Sequence, residues 1–166
     1  MDPIFFHIDV NSAFLSWTAV EKLKSGSDVD IREIPSIIGG DEASRHGVVL
    51  AKSVPAKRYG VVTGEPVASA LRKCASLVME PPNHQMYREY SRQLMDYFKT
   101  YTPDIEQLSV DECFLDLTHS LMGRKLIDIA YEIKKPIDLI FKANNNLIES
   151  KEKYNSDNIN MLTIFR

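Results

Sequence analysis

Ile105-Glu106-Gln107-Leu108-Ser109-Val110-Asp111-Glu112-Cys113-Phe114-Leu115-Asp116 is the stretch of this sequence that decides the fold. Two apolar runs of strand length, residues 105–110 and 113–117, meet at Asp111 and Glu112. The pattern predicts a β-hairpin with two adjacent carboxylates at its bend. Acidic residues are also common in solvated turns, because their side chains bond to the turn backbone. The hairpin alone therefore leaves a solvated turn and a functional carboxylate pair as alternatives.

A third carboxylate ends another strand-length run, near the start of the chain. Residues 3–10 are mostly apolar and contain Asp9, and Asn11 and Ser12 then lead into a helical repeat of apolar residues. That repeat consists of Phe14, Leu15, Val20 and Leu23. Asp9 would cap this helix, or would share one edge of a sheet with the hairpin carboxylates if the strands are neighbours. The pattern alone favours the cap and the solvated turn.

The three carboxylates are candidates for metal-dependent chemistry. Phosphoryl transfer by the two-metal route needs carboxylates that converge from rigid elements, because two Mg²⁺ ions about 4 Å apart must be held while both reacting oxygens are polarised. Asp9, Asp111 and Glu112 meet that requirement if both strands belong to one sheet. Their unpaired burial there would be costly without cations.

The rest of the chain predicts a small number of further elements. Residues 37–41 and 46–51 are typical of two short strands around a polar loop. Apolar spacing predicts helices over residues 66–79, 87–101 and 126–133, with the last interrupted by Pro136. We expect the aromatic stripe of residues 87–101 to be ordinary core. Residues 143–166 are rich in Lys, Glu, Asn and Ser, which predicts a polar, weakly ordered tail.

The composition is that of an ordinary folded domain without bulk attraction to nucleic acid. The 166 residues are 44% hydrophobic and 26% charged, with a net charge of -3 and a pI near 5.8. Phosphate binding usually shows as a basic face, so any DNA contact must be local. Cys74 and Cys113 have no metal-ligand spacing, and we expect reduced core residues. The sequence contains no membrane-spanning run or signal peptide pattern, which predicts a cytoplasmic protein without a membrane partner.

Three spaced motifs carry a resemblance to a known family. They are Phe6-His7-Ile8-Asp9-Val10-Asn11-Ser12-Ala13-Phe14, Gly47-Val48-Val49-Leu50-Ala51-Lys52-Ser53-Val54-Pro55-Ala56-Lys57-Arg58-Tyr59-Gly60-Val61 and Ser109-Val110-Asp111-Glu112-Cys113-Phe114-Leu115-Asp116. In this order they resemble the opening motif, the fingers segment and the S-[ILV]-D-E-[AC]-[FY]-L-D motif of Y-family translesion DNA polymerases, DNA polymerase IV branch. The resemblance runs from about residue 4 to residue 118 and identifies the chain as a member of that family.

The resemblance implies an α+β fold, a ferredoxin-like polymerase palm with a small fingers subdomain, incomplete at the C-terminus. The palm would comprise residues 1–12 and 80–142, the fingers residues 13–79, and the tail residues 143–166. Beyond the last helix the family continues with a palm strand, a motif with a triphosphate-binding lysine, a thumb and a little finger domain. None of these is visible in the sequence. Because the family contacts the sliding clamp through regions that are absent here, we expect no sliding-clamp binding.

The resemblance also implies the catalytic residues and the cofactor. Asp9, Asp111 and Glu112 would bind two Mg²⁺ ions, with the carbonyl of Val10 as a backbone ligand. The reaction would be nucleotidyl transfer, in which the 3′-hydroxyl of a DNA primer attacks the α-phosphate of a dNTP. The partners would therefore be a DNA primer-template and dNTP.

The nucleotide would be held by the first helix and by the fingers. Phe14 would be the steric gate, the ring that packs under the deoxyribose and excludes a 2′-hydroxyl, although the helix alone would make it a core residue. Backbone N–H groups suited to phosphate belong to Asn11, Ser12, Ala13 and Phe14. Lys57 takes the place of a family arginine, and Val54 that of a family tyrosine, so this chain has weaker means of gripping the triphosphate. As an alternative, Lys57 and Arg58 are simply solvated.

Three functions follow from these observations. The first is the catalytic region of an error-prone translesion DNA polymerase in DNA damage bypass. The second is a truncated, non-catalytic remnant that retains only the fold and metal or nucleotide binding, which the absent C-terminal motifs favour. The third is a metal-dependent phosphohydrolase with the same carboxylates, for which Phe14 and the fingers segment would be coincidences.

Overall fold

The computed structural model describes residues 3–40, 47–121, 123–142 and 162–165. Contacts divide the chain into two compact units. Residues 12–84 form the second unit, and the described residues on either side of them form the first. The compact units meet after residues 11 and 84, whereas the division into palm and fingers after residues 12 and 79 stays a prediction.

Strands and helices follow one another without regular alternation along the described residues. The strands are β1 (Phe5–Asp9), β2 (Ser36–Gly39), β3 (Val49–Lys52), β4 (Val78–Glu80), β5 (Ile105–Gln107), β6 (Glu112–Asp116) and β7 (Leu162–Phe165). The helices are α1 (Ala13–Lys24), α2 (Val54–Arg58), α3 (Val67–Lys73), α4 (His84–Phe98) and α5 (Leu126–Lys142). The chain is therefore α+β, with one sheet of antiparallel pairs and a second sheet that has one antiparallel and one parallel pair.

The first unit contains a sheet in the order β5-β6-β1-β7, with every pair antiparallel. Side chains alternate between its two faces, because successive residues of a strand point in opposite directions. Phe6, Ile8, Cys113 and Leu115 are at most 2% exposed and belong to the buried face. Residues at the intervening positions of β1 and β6 are half-buried and form the other face.

The tail prediction lies mostly outside the described residues. Within it, Leu162–Phe165 is strand β7, which pairs with β1 from Phe5↔Phe165 to Ile8↔Leu162. A fourth strand therefore occupies the edge of β1 that the sequence had left without a partner.

The prediction that Pro136 interrupts the last helix is wrong, because α5 runs from Leu126 to Lys142. A proline inside a helix removes the N–H that the carbonyl four residues earlier would accept. Here that carbonyl belongs to Glu132, and the hydroxyl of Tyr97 on α4 lies 3.2 Å from it. The tyrosine thus supplies a replacement donor, which the local sequence of α5 does not reveal.

Helix α4 and the cysteines follow the sequence predictions. The aromatic stripe is core, since Tyr87, Tyr90, Leu94 and Phe98 are buried. Cys74 and Cys113 are both buried and free. Among the described residues, no helix is long and apolar enough to cross a membrane.

The second unit contains a three-stranded sheet in the order β3-β2-β4. All four residues of β2 are buried because both faces of this strand are covered. Ile37 belongs to one hydrophobic cluster, with Val49, Val67 and other residues, whereas Ile38 belongs to a second cluster with Leu15 and other residues. Alternation along one strand therefore connects the two cores of this unit.

The helix predicted over residues 66–79 is only half correct. Helix α3 ends at Lys73, and Cys74 has an extended backbone with φ of -141°. Val78–Glu80 is instead strand β4, which pairs in parallel with β2. Pairing with the free edge of β2 overrides an apolar spacing that also fits a helix.

Candidate active site

The register of the sheet brings two of the predicted carboxylates together. Asp9, the last residue of β1, lies directly opposite Glu112, the first residue of β6. Side chains directly opposite each other in an antiparallel pair share one face of the sheet. The backbone N–H of Val10 donates to the carbonyl of Asp111 at 3.0 Å, which holds the third acidic residue beside the same strand end. We call Asp9, Asp111 and Glu112 the carboxylate cluster.

The helix cap that the sequence offered for Asp9 is wrong, whereas the predicted bend contains Asp111 but not Glu112. Ser12 occupies the N-cap of α1, whereas Asp9 belongs to β1, so Asp9 is not the helix cap. Asp111 lies in the bend, but Glu112 is already part of β6, and both residues are half-buried. The first hairpin strand ends at Gln107 rather than at residue 110, so the bend is wider than predicted.

Burial and like charge raise the pKa of the Asp9 carboxylate. The pKa of Asp9 is raised above its ordinary value, first by burial and then by the negative charges of Asp111 and Glu112. His7 acts in the opposite direction. The folded chain therefore concentrates negative charge at one strand end, which is the situation that a bound cation relieves.

Two members of the carboxylate cluster are already hydrogen-bonded within the chain. Glu112 Oε1 lies 2.7 Å from His7 Nε2, and Asp111 Oδ1 accepts a hydrogen bond from the hydroxyl of Ser109 at 2.7 Å. Within the described residues, no three acidic, histidine or cysteine side chains are grouped closely enough to hold a metal ion as they stand. The donor chemistry suits Mg²⁺, which prefers carboxylate oxygens, but the side chains must turn to use it.

Sequence reasoning gave His7 and Ser109 no role. His7 is two residues before Asp9 and so points to the same face of β1, which was a usable signal. Its pairing with Glu112 depends on strand register, which cannot be read from the sequence. Ser109 lies two residues before Asp111 in the bend, where a hydroxyl commonly bonds to turn neighbours.

The predicted nucleotide-binding residues fall on both sides of the unit border. Asn11 closes the first segment of the first unit, whereas Ser12, Ala13 and Phe14 open the second. Ser12 has φ of +48°, a left-handed conformation, and leads directly into α1. Its carbonyl accepts the helix hydrogen bond from Ser16 at 3.0 Å.

Phe14 is half-buried rather than enclosed in the core. Its ring packs against the cluster that contains Leu15, and lies 6.3 Å from the ring of His84 in an edge-on arrangement. An enclosed core phenylalanine, such as Phe98 at 0% exposed, offers no surface to a ligand. Phe14 is only partly buried, and its assignment as the steric gate stays a prediction.

Lys57 lies on α2, a short helix that the sequence analysis missed. Ser53 caps this helix, since its side-chain oxygen accepts from the N–H of Ala56 at 3.0 Å. Lys57 is exposed, and Val54, in the place of the family tyrosine, is 57% exposed. The serine before a proline-containing segment was a recognisable helix start.

A shallow depression of about 530 Å³ lies at the opposite end of the β1–β6 ladder. Two phenylalanine rings and three carboxylates line it, together with one isoleucine: Phe5, Asp104, Ile105, Glu106, Phe114 and Asp116. Its charge has the wrong sign for a phosphate group. The depression is therefore a poor candidate for the nucleotide site, despite its size.

Comparison with known proteins identifies the family of the chain. Residues 8–144 match the model of the impB/mucB/samB family. A DNA polymerase IV from Clostridium acetobutylicum is 56% identical over 137 residues, which cover 82% of this chain and 35% of that protein. A DNA polymerase IV from Alkaliphilus oremlandii is 36% identical over 126 residues, covering 75% of this chain and 30% of the relative. The chain thus spans about a third of the length of the curated relatives that it matches.

Solved structures support the fold. The crystal structure of DinB from Sulfolobus solfataricus matches with a TM-score of 0.69 and 24% identity, over 81% of this chain and 38% of that one. An insertion ternary complex of Dbh DNA polymerase matches with a TM-score of 0.65 and 21% identity, over 84% and 39% of the two chains. The α+β palm and fingers fold predicted from the sequence is confirmed. The chain belongs to the impB/mucB/samB family, the Y-family of DNA polymerases.

Proposed function

We propose that this chain carries the catalytic region of an error-prone translesion DNA polymerase that acts in DNA damage bypass. It would transfer a nucleotide from dNTP to the 3′-hydroxyl of a DNA primer. The observation that carries the proposal is the carboxylate cluster. Strand register places Asp9 opposite Glu112, and the pKa of Asp9 is raised. The names of the polymerase relatives favour this chemistry over phosphate hydrolysis.

In this proposal the carboxylate cluster and the Val10 carbonyl would hold two Mg²⁺ ions, which would supply Lewis-acid activation of the attacking hydroxyl and neutralisation of charge on the phosphates. The protein contributes rigid strand ends, which fix the backbone of Asp9 and Glu112 opposite each other. A cytoplasmic location suits such a substrate and stays a prediction.

Single-nucleotide primer extension tests the proposal. The chain in excess over primer-template, with Mg²⁺ and dNTP, is compared with the double variant Asp111→Ala, Glu112→Ala. We expect insertion by the unchanged chain and a loss of at least about 100-fold in the variant, since both carboxylates act only through the cation-assisted reaction. Equal insertion by both proteins would contradict the metal assignment. No insertion by a folded, unchanged chain would favour the non-catalytic alternative.

The assignment of Phe14 as the steric gate has its own test. Phe14→Ala should increase insertion of a ribonucleotide relative to a deoxyribonucleotide by about tenfold or more, because one packed ring distinguishes the two sugars. Leu50→Ala is the matched control, since Leu50 is a partly buried residue that packs against the same hydrophobic cluster as Phe14. Equal sugar selectivity in the two variants would return Phe14 to a purely structural role.

A further inference from the structure

We infer that His7 is a positioning residue that holds the Glu112 carboxylate away from the cation-binding arrangement until a divalent cation displaces it. The inference rests on the proposed function, because it assigns a role to a neighbour of the proposed metal ligands. It goes beyond that function by naming an internal competitor for one ligand oxygen.

Two contacts fix the His7 ring where it can hold Glu112. His7 Nε2 lies 2.7 Å from Glu112 Oε1, and because a carboxylate accepts, the imidazole N–H is the donor. The ring also stacks on Phe114, with centroids 4.6 Å apart and planes inclined by 21°. Phe114 lies directly opposite His7 in the ladder, so the stack follows from strand register.

The same face of the sheet carries every group involved. His7 and Asp9 are alternate residues of β1, and Phe114 and Glu112 are alternate residues of β6. His7 therefore reaches diagonally across the ladder to the carboxylate that lies opposite Asp9. Side-chain exposures of 21% for His7 and 33% for Glu112 leave the pair accessible to an ion from solvent.

Holding Glu112 in this way has a consequence for cation binding. His7 occupies Glu112 Oε1, and no group of three possible ligands is assembled among the described residues. A cation that binds through Oε1 would have to replace the imidazole there, so part of its binding free energy would be spent on breaking this hydrogen bond.

Cation affinity measured without catalysis tests the inference. The probe is Mn²⁺, followed by the electron paramagnetic resonance signal of the free ion during titration of the chain. His7→Phe removes the donor and keeps a ring for the stack on Phe114, and we expect Mn²⁺ to bind about three- to tenfold more tightly. His7→Gln keeps an amide N–H at the position of Nε2 and loses the stack, and we expect affinity close to that of the unchanged chain.

The two variants separate positioning from packing. If the ring served only to pack on Phe114, the glutamine variant would be the one that changed, and that order would overturn the inference. Asp9→Asn shows whether Mn²⁺ binds at the carboxylate cluster. Binding that depends on Asp9 but is indifferent to His7→Phe rejects the role of His7 and leaves the proposed function intact. Binding that is indifferent to Asp9→Asn rejects both.

A nuclear magnetic resonance spectrum of the unchanged chain tests, without any variant, whether a cation displaces His7 from Glu112. Saturation with Mg²⁺ should shift the imidazole ¹⁵N resonances of His7, because Nε2 loses its carboxylate partner. The resonances of His84 and His119, which serve as internal references, should stay in place. An unmoved His7 signal at Mg²⁺ saturation, as judged from backbone shifts near Asp9, would overturn the inference even if His7→Phe failed to fold.

Discussion

Each end of the β1–β6 ladder carries an aspartate, and the two carboxylates have different surroundings. At one end Asp9 faces Glu112, and at the other Asp116 faces Phe5, on the same face of the sheet. Burial and two neighbouring carboxylates raise the pKa of Asp9. Hydrogen bonds from Thr118 lower the pKa of Asp116, and one of them is the Thr118 N–H at 2.8 Å.

The difference separates a structural aspartate from a candidate ligand. At the Asp116 end the chain satisfies the anion locally, and the Thr118 hydroxyl also accepts the N–H of Ile4 at 2.9 Å. At the Asp9 end the fold opposes the anion with like charge, which costs stability unless a cation binds. Residue type and strand position alone therefore do not distinguish the two aspartates, whereas the partners of each carboxylate do.

The largest expected effect concerns nucleotide insertion. Asp9→Asn should reduce Mg²⁺-dependent insertion by at least about 100-fold, because an amide is a weaker cation ligand than a carboxylate. Asp116→Asn is the matched control and should change insertion by less than about threefold, since Asp116 already has partners within the chain. Primer extension under single-turnover conditions measures both. Similar losses in the two variants would break the distinction between the ladder ends.

The sequence predicted the elements of this ladder, but not their pairing. Apolar runs of strand length were sufficient to find β1 and β6, whereas Asp9, Asp111 and Glu112 were chosen by motif resemblance and stay predicted ligands. Register decides which carboxylate meets which neighbour, and register follows from contacts between distant residues. The His7–Glu112 bond across 105 residues of sequence is such a contact.

Tertiary contacts also explain the wrong element boundaries. The last residues of the helix predicted over residues 66–79 belong instead to β4, because they pair with the free backbone edge of β2. Helix α5 continues through Pro136 because the Tyr97 hydroxyl, from another helix, lies near the carbonyl that lost its donor. Neither partner is a neighbour in sequence, so local spacing could not predict either outcome.

An intermediate effect concerns folding stability at the Asp116 end. Thr118→Val keeps the shape of the side chain but removes the acceptor for the Ile4 N–H, so we expect a loss of about 1 kcal/mol in the free energy of unfolding. Urea denaturation measures the change, and Thr118→Ser, which keeps the hydroxyl, should lose much less. Mn²⁺ affinity should stay unchanged in both variants. If the valine variant is as stable as the unchanged chain, Thr118 does not account for the difference between the two ends of the ladder.

The smallest expected effect is the dependence of stability on pH in the absence of divalent cations. The pKa of Asp9 is raised in the folded chain, so its favourable contribution is present below the unfolded pKa, near 4, and is lost as pH rises through the folded pKa. At pH 7 the charged Asp9 is therefore destabilising, and Asp9→Asn should raise Tm by about 1–3 °C. The gain should shrink as pH falls towards 4, because protonated Asp9 no longer repels its neighbours.

The pKa of Asp116 is shifted in the opposite direction to that of Asp9, so the Asp116 variant is the control for the pH series. Its pKa is lowered by Thr118, so its contribution is present above the unfolded pKa and is lost as pH falls through the folded pKa. Asp116→Asn should lower Tm at pH 7, and the deficit should narrow in acid as the unchanged chain becomes protonated. Thermal unfolding from pH 3 to pH 7 measures both trends. Parallel curves for the two variants would mean that the ends of the ladder do not differ electrostatically, and would leave Asp9 without the repulsion that favours a cation there.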